Sequence, residues 1–320
     1  MVFKVSIVMP AYNCEKSIVN SINSILNQDY LNWELIIVDD GSKDGTYKIC
    51  KQFAEKDTRI KIFKQENKGP SSARNLALSK ISGELLMFVD ADDTIVPNAF
   101  NILVSNFNDK KIDACIYSWN IVQNGMKKAH KFSHKEIRAD KEKFFRNIAF
   151  SSDWNRYSGG YPWNKIWRLS SISKNGMIFF DARVHLLEDR LFALAALNKV
   201  NNIKVINIPL YNYVIEDNST SHVSDNRAIL LSHLEFYKAI NFEKEFIQQY
   251  HPSAIDVADK ALLQEQINCL WVAIHNNSNL EKKKIDKIRF DFYNTKFIFL
   301  SLKYTVKYLY LVIKLKRLRP

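Results

Sequence analysis

Over its first third the chain alternates short apolar runs with stretches of helical period. KVSIVMP (4–10), WELIIVDDGS (33–42), RIKIFKQ (59–65), ELLMFVD (84–90) and DACIYSW (113–119) read as strands. Between them lie four helical stretches. CEKSIVNSINSILNQ (14–28) sets Ile18, Ile22, Ile25 and Leu26 on one face, and DGTYKICKQFAEK (44–56) opens with Asp44 placed to cap it. PSSARNLALSKI (70–81) starts on proline, and PNAFNILVSNF (97–107) follows the fourth strand. Such alternation predicts βαβ units and a mostly parallel sheet with both faces covered.

The stretch from about 120 to 222 is mixed and rich in Trp, Tyr and Arg, and from about 225 to 290 the pattern is helical. There is no repeat and no low-complexity linker, so one composite domain with a helical C-terminal part is expected, not two independent domains. The last stretch, FIFLSLKYTVKYLYLVIKLKRLRP (297–320), carries Lys303, Lys307, Lys314, Lys316, Arg317 and Arg319 and no acid. Lys303, Lys307, Lys314 and Arg317 fall near one helical face, which predicts an interfacial helix on an anionic membrane; the alternative is a helix packed on the core with solvated lysines.

Composition adds bounds. The 320 residues include 46 basic and 34 acidic ones, a net charge of +12, with 47% hydrophobic residues. A surplus of that size suits nucleic acid, anionic membrane or phosphorylated substrates. No nucleic-acid motif accompanies it, so a nucleic-acid partner is not expected. Cys14, Cys50, Cys115 and Cys269 form no CxxC pair, which speaks against zinc or a disulfide framework and for a reducing cytoplasm. The N-terminus reads as a first strand, not as a signal peptide, and no stretch reaches the roughly 18 apolar residues of a spanning helix.

The chemistry gathers at strand ends. In an open parallel sheet ligands bind at the carboxyl ends of the strands, and three such ends are polar: PAYN (10–13), DDGS (39–42) and DADD (90–93). Asp39, Asp40, Asp90 and Asp92 would project into one crevice, and carboxylates crowded there repel one another. A hard divalent cation, Mg²⁺ or Mn²⁺, resolves that conflict when its shell is completed by substrate phosphates, so a metal–diphosphate complex is the expected ligand. The plainer reading of Asp92 and Asp93 is a cap for the helix near Pro97, a role that suits Asp93 or Thr94. No GxGxxG follows the first strand, which disfavours dinucleotide binding.

Four blocks, VSIVMPAYNCEKSIVNSINSILNQ, WELIIVDDGSKDGT, NKGPSSARNLAL and GELLMFVDADDTIVP, together resemble the family 2 inverting glycosyltransferases of bacterial surface-glycan type, strongly over residues 4–120 and less so to about 222. The resemblance implies an α/β GT-A fold: a Rossmann-like nucleotide-binding mixed sheet flanked by helices, here with a helical C-terminal extension. It divides the chain into a nucleotide-sugar half (1–120), an acceptor and catalytic-base half (121–222), a helical extension (223–295) and a basic amphipathic tail (296–320). It also implies a nucleotide-diphosphate sugar donor, commonly a UDP-sugar, and a divalent metal. On the matching positions Asp39 would read the nucleobase, with Pro10, Ala11 and Tyr12 lining the base pocket and Glu15 near ribose or base. Asp90, with Ala91 beside it, would lie near the ribose, and Asp92 would ligate the metal. Arg74, with Lys68 upstream, would approach the base or phosphates, whereas Asp40 would orient its loop.

For the reacting end the resemblance points to VHLLEDRLFALAAL (184–197), with Asp189 as general base and Glu188 positioning acceptor or loop. The plain alternative is that both acids favour a helix N-terminus. GGYPWNKIWR (159–168) matches a family loop in which Trp163 would stack on a sugar while Asn164 and Lys165 hold a hydroxyl or phosphate. YNYVIEDNSTSH (211–222) matches in part: Val214 stands where arginine is common, leaving His222, Lys165 or Arg227 for that charge. Ser219, Ser221 and His222 would close over the diphosphate, with His222 also a candidate metal ligand.

The expected activity is transfer of one sugar to a hydroxyl of a glycan or lipid-linked glycan in cell-surface polysaccharide synthesis, by a peripheral enzyme at the inner face of the membrane, with a dimer as candidate assembly. Two other classes compete. A nucleotidyltransferase would need a glycine-rich phosphate loop that MPAYNCEKS lacks, and a non-catalytic scaffold would be expected to lack Asp92 or Asp189. A processive synthase would carry Q-x-x-R-W and spanning helices, and neither is found.

Overall fold

The computed structural model describes residues 2–130, 132, 160–215, 226–275, 282–295 and 301–316. The chain divides into two units, Met1–Arg183 with Glu188–Asn218, and Val184–Leu187 with Ser219–Pro320.

In the first unit the predicted alternation is present: β1 (Val5–Ala11), α1 (Ile18–Leu26), β2 (Trp33–Asp39), α2 (Thr46–Lys56), β3 (Ile60–Lys64), α3 (Pro70–Leu78) and β4 (Leu85–Phe88). β1 and β2 are buried along nearly their whole length, which explains why they read as continuous apolar runs. β3, β2, β1 and β4 pair in parallel in that order. Ala11 lies opposite Asp39 and Asp39 opposite Lys64, so the carboxyl ends share one edge.

Beyond β4 the sheet turns mixed. After β5 (Thr94–Ile95) and α4 (Ala99–Ser105) come β6 (Ala114–Gln123), β7 (Met126–His130), β8 (Lys165–Arg168), α5 (Leu169–Ile172), α6 (Glu188–Lys199) and β9 (Ile203–Ile215). Among the described residues the sheet runs β3-β2-β1-β4-β8-β6-β9-β5, with β7 paired to β6. β8 is antiparallel to both β4 and β6, while β6 and β9 are parallel.

At the opposite edge of the parallel strands a second polar cluster ties them together. Glu34 accepts from Ser6 Oγ (2.7 Å), Ser82 N (2.6 Å), Lys61 Nζ (3.0 Å) and Lys4 Nζ (3.2 Å). Burial pushes this carboxyl up, but those bonds outweigh it and hold the group at about 2.

The second unit is helical: α7 (Asn226–Tyr250), α8 (Ile255–His275), α9 (Lys282–Asn294) and α10 (Leu302–Lys316). Its core includes Leu230, Leu263, Leu270, Ile288, Phe292, Leu311 and Leu315. The basic tail therefore packs one face into a core, through Leu311 and Leu315, while Val306, Leu309 and Ile313 stay exposed. No described helix is long and apolar enough to cross a membrane. All four cysteines are free thiols.

Candidate active site

The polar edge is assembled from the turns that leave β1, β2 and β4. After β2, Gly41 has φ +76°, and a Cβ there would meet Asn67 N at 2.8 Å, so this turn accepts only glycine without strain. Asp40 accepts from Gln65 Nε2 (2.7 Å), Lys68 N (2.8 Å) and Gly69 N (2.8 Å), a loop-orienting role. Glu15 accepts from Gly45 N (2.6 Å), tying the loop after β1 to the start of α2, where Asp44 accepts from Thr46 N (3.0 Å). Ala11 is buried, Tyr12 is 46% exposed, and the Lys68 side chain is exposed.

Asp39 is completely buried, and neither carboxylate oxygen has a hydrogen-bond partner among the described residues; Lys64 Nζ stands 3.9 Å away. An ionised carboxylate held this way is costly unless something donates to it.

The loop after β4 separates its acids. Asp92 is exposed, Asp90 is partly buried and Ala91 is buried. Asp93 is 1% exposed and accepts from the Tyr211 hydroxyl and from Val214 N, both at 2.7 Å. The Tyr211 hydroxyl in turn accepts from Asp90 N (3.1 Å), and Ser21 of α1 donates to the Asp93 carbonyl (2.5 Å). The helix-capping reading of Asp93 is therefore corrected. The residue before α4 is Asn98 in a left-handed conformation, and the Asp93 carboxylate instead binds β9.

Arg74 of α3 is 5% exposed and collects three carboxylates: Asp189 Oδ1 at 2.6 Å, Glu188 Oε1 at 3.3 Å and Asp90 Oδ1 at 3.3 Å. Its guanidinium carbon lies 5.2 Å from the Phe180 ring centre, and Phe180 is pinned by reciprocal backbone bonds to the Asn75 side chain (2.7 and 2.9 Å). Glu188 and Asp189 open α6 directly after Leu187, a non-glycine residue at φ +64°, a turn that costs about 1–2 kcal/mol. Burial pushes the Asp189 carboxyl up to about 7; Arg74 opposes the rise, while Glu188 and Asp90 add to it. The Arg74 guanidinium makes ion pairs with all three acids, and Lys165 also lowers the Asp189 carboxyl.

Trp163, Asn164 and Lys165, expected to touch an acceptor, are 3%, 0% and 0% exposed. Trp163 stacks on Tyr161 (4.8 Å) and Tyr211 (4.6 Å), and the Tyr117 hydroxyl donates to its carbonyl. Lys165 donates to Tyr161 O (2.5 Å) and Asn164 Oδ1 (2.7 Å), and burial lowers its ammonium to about 7. In this structure the three are buried, Trp163 against Tyr161 and Tyr211 and Lys165 against Tyr161 and Asn164. Ser219, Ser221 and His222 lie outside the described residues.

Sequence reasoning passed over Tyr211, Phe180 and Lys64. Only Tyr211 had a readable signal, the period-two tyrosines of YNYV, which place Tyr211 and Tyr213 on one face of β9.

For a cation, the described residues contain no group of three His, Cys, Asp or Glu placed to hold it unaided. The exposed Asp92 carboxylate, two residues after the Asp90 that Arg74 binds, does match the donor set of Mg²⁺ or Mn²⁺, which takes one or two carboxylates plus substrate phosphates.

The chain is 29% identical over 235 residues to the glycosyltransferase GlyA of Streptococcus pneumoniae, covering 69% of this chain and 32% of that protein. It is 39% identical over 123 residues to the Escherichia coli UDP-Glc:alpha-D-GlcNAc-diphosphoundecaprenol beta-1,3-glucosyltransferase WfgD, covering 38% of this chain and 48% of that one. The chain thus spans about a third to a half of the length of these relatives. The crystal structure of S. aureus TarS 1-349 in complex with UDP-GlcNAc superimposes with a TM-score of 0.65 at 24% identity, over 90% of this chain and 80% of that one. The fold is the expected GT-A arrangement with a helical C-terminal extension. Residues 6–171, more than half of the chain and running from within β1 to beyond β8, match the model of glycosyl transferase family 2, and the chain belongs to that family.

Proposed function

We propose that the protein is an inverting glycosyltransferase that moves one sugar from a nucleotide-diphosphate sugar, in first place a UDP-sugar, to a hydroxyl of a glycan or lipid-linked glycan. The observation that carries the reading is the gathering of Asp189, Glu188 and Asp90 around the single guanidinium of Arg74. Through Arg74 it links a carboxylate suited to a base with Asp90 in the loop at the carboxyl end of β4, where a nucleotide would lie.

In this reading Asp39 accepts from the nucleobase N–H, supplying the donor its buried oxygens lack among the described residues. Pro10, Ala11 and Tyr12 flank the base, Glu15 and Lys68 shape the adjoining loops, and Asp90 with Ala91 faces the ribose. Asp92 would hold one divalent cation, Mn²⁺ or Mg²⁺, with Ser221 and His222 as further partners of metal and diphosphate. That cation would supply the positive charge the departing diphosphate needs, since Arg74 is already engaged by three acids. Asp189 takes the proton of the acceptor hydroxyl as its oxygen bonds to the anomeric carbon, and the bond from that carbon to the diphosphate oxygen breaks with inversion. A carboxyl pushed up toward neutral is matched to that work. Trp163, Asn164 and Lys165 act from beneath by fixing Tyr211 and Tyr161. The proposed location is peripheral, on the cytoplasmic side of the cell membrane.

The test is a panel of nucleotide sugars with the purified chain and Mn²⁺, scored for binding, hydrolysis and transfer. At least one UDP-sugar should bind and react, and Asp189→Asn should lose transfer while keeping nucleotide affinity. Asp92→Asn should lose metal-dependent binding. If no nucleotide sugar binds with metal present, the proposal fails.

A further inference from the structure

The helix α10 has two apolar faces. Tyr304, Tyr308, Leu311 and Leu315, spaced i, i+4, i+7 and i+11, form one; Leu311 and Leu315 are buried and the tyrosines pack against the same core. Val306, Leu309 and Ile313 form the other, with exposures of 58%, 55% and 57%, while Tyr310 beside them packs on Trp271 and His275. A helix needs one apolar face to dock on its own unit, and the second is unexplained by folding.

Charge indicates what covers it. Lys303, Lys307 and Lys314, at i, i+4 and i+11, line one border between the two faces. No ion pair is made by any of the three among the described residues, and Lys307 rests its ammonium 4.9 Å from the Trp271 ring centre. The sequence continues through Lys316, Arg317 and Arg319, and no acid follows Asp291. A second copy of the chain on this face would bring lysines toward lysines. An acidic protein would satisfy the lysines but would not call for a row of aliphatic side chains beside them. An anionic bilayer satisfies both, with Val306, Leu309 and Ile313 among the acyl chains and the lysines at the headgroups.

We propose that the outward face of α10 is a docking surface for anionic phospholipid. It does not depend on which sugar is moved. It would hold the enzyme on the surface where a lipid-linked acceptor resides, raising the local concentration of that acceptor.

The experiment uses the full chain and sedimentation with vesicles of phosphatidylcholine alone, or of phosphatidylcholine containing phosphatidylglycerol. Binding is expected only to the second kind and should weaken as NaCl is raised. Leu309→Glu/Ile313→Glu and, separately, Lys303→Glu/Lys314→Glu should each lower partitioning by about tenfold or more. Both variants alter outward positions only, so their melting temperatures and their UDP-sugar binding should match those of the parent. Equal binding to neutral and anionic vesicles overturns the proposal, as does full binding by either variant. So does an absence of vesicle binding together with a concentration-dependent dimer that Leu309→Glu/Ile313→Glu abolishes. UDP-sugar binding is scored in the same preparations, so a failure here is told apart from a failure of the glycosyltransferase reading.

Discussion

Arg74 Nη1 lies 2.6 Å from Asp189 Oδ1, and Nη2 of the same guanidinium lies 3.3 Å from Asp90 Oδ1. The arginine thus fixes the proposed base against the loop after β4 and offsets part of its charge. Burial raises the Asp189 carboxyl to about 7, and Arg74 is the main influence pulling it back. A base works only when ionised, so transfer should climb with pH through about 7 and level off above it. Arg74→Gln removes the lowering charge, which raises the carboxyl further. At saturating donor and metal the midpoint of the rate profile should move to higher pH, by about one unit or more. Arg74→Lys should move it less. A midpoint that stays in place in Arg74→Gln would show that Asp189 is not the group being titrated.

Asp39 supplies a second expectation, because its two buried oxygens have no donor in the described chain. If a nucleobase N–H fills that place, the bond is charge-assisted and contributes about 1.5–3 kcal/mol. Asp39→Asn should then weaken UDP binding by about ten- to a hundredfold in calorimetry. The same change removes a buried charge whose nearest cation is 3.9 Å away, so the ligand-free protein should melt no lower than the parent. Unchanged UDP affinity would remove Asp39 from the base pocket.

At the other edge of the parallel strands Glu34 should matter for stability and not for binding. Its carboxyl is held at about 2, below its ordinary value of 4.5. The stabilisation is therefore complete above about 4.5 and is lost as pH falls toward 2. Glu34→Gln should lower unfolding free energy at pH 7 by about 1–3 kcal/mol in urea titrations and flatten the acid limb of the stability profile. UDP affinity should not change. Parallel acid limbs in parent and variant would mean that other carboxylates carry the effect.

These relationships were legible in the sequence to different degrees. β1, β2 and β4 were readable because strands buried on both faces are continuous apolar runs, β3 because its apolar and basic residues alternate, and α1 to α3 because their apolar spacing or their opening residues mark them. The β6–β7 hairpin was passed over although Asn124 and Gly125, both at positive φ, spell a two-residue turn. The site was harder. Arg74 and Asp189 are 115 positions apart, and no periodicity joins them; the family resemblance named both but not their contact. Trp163 was read as a platform for a sugar because a chain of letters does not distinguish an exposed tryptophan from one stacked under Tyr211. Asp93 was read as a cap because its true partner, β9, arrives from 118 residues downstream.

That partner provides the last test. The Tyr211 hydroxyl donates to Asp93 Oδ2 at 2.7 Å and accepts from Asp90 N at 3.1 Å, so one oxygen braces both ends of the loop that carries Asp92. Tyr211→Phe keeps the stack on Trp163 and removes only that oxygen, leaving a buried carboxylate one donor short at a cost of about 1–3 kcal/mol. The melting temperature should fall by a few degrees. If the loosened loop presents Asp90 and Asp92 to the donor, as proposed, KM for the nucleotide sugar should rise more than kcat falls, the Arg74–Asp189 contact being made by other elements. A lowered melting temperature with unaltered KM would assign the hydroxyl to the fold alone, and a fall confined to kcat would place Tyr211 nearer the reacting groups than its contacts indicate.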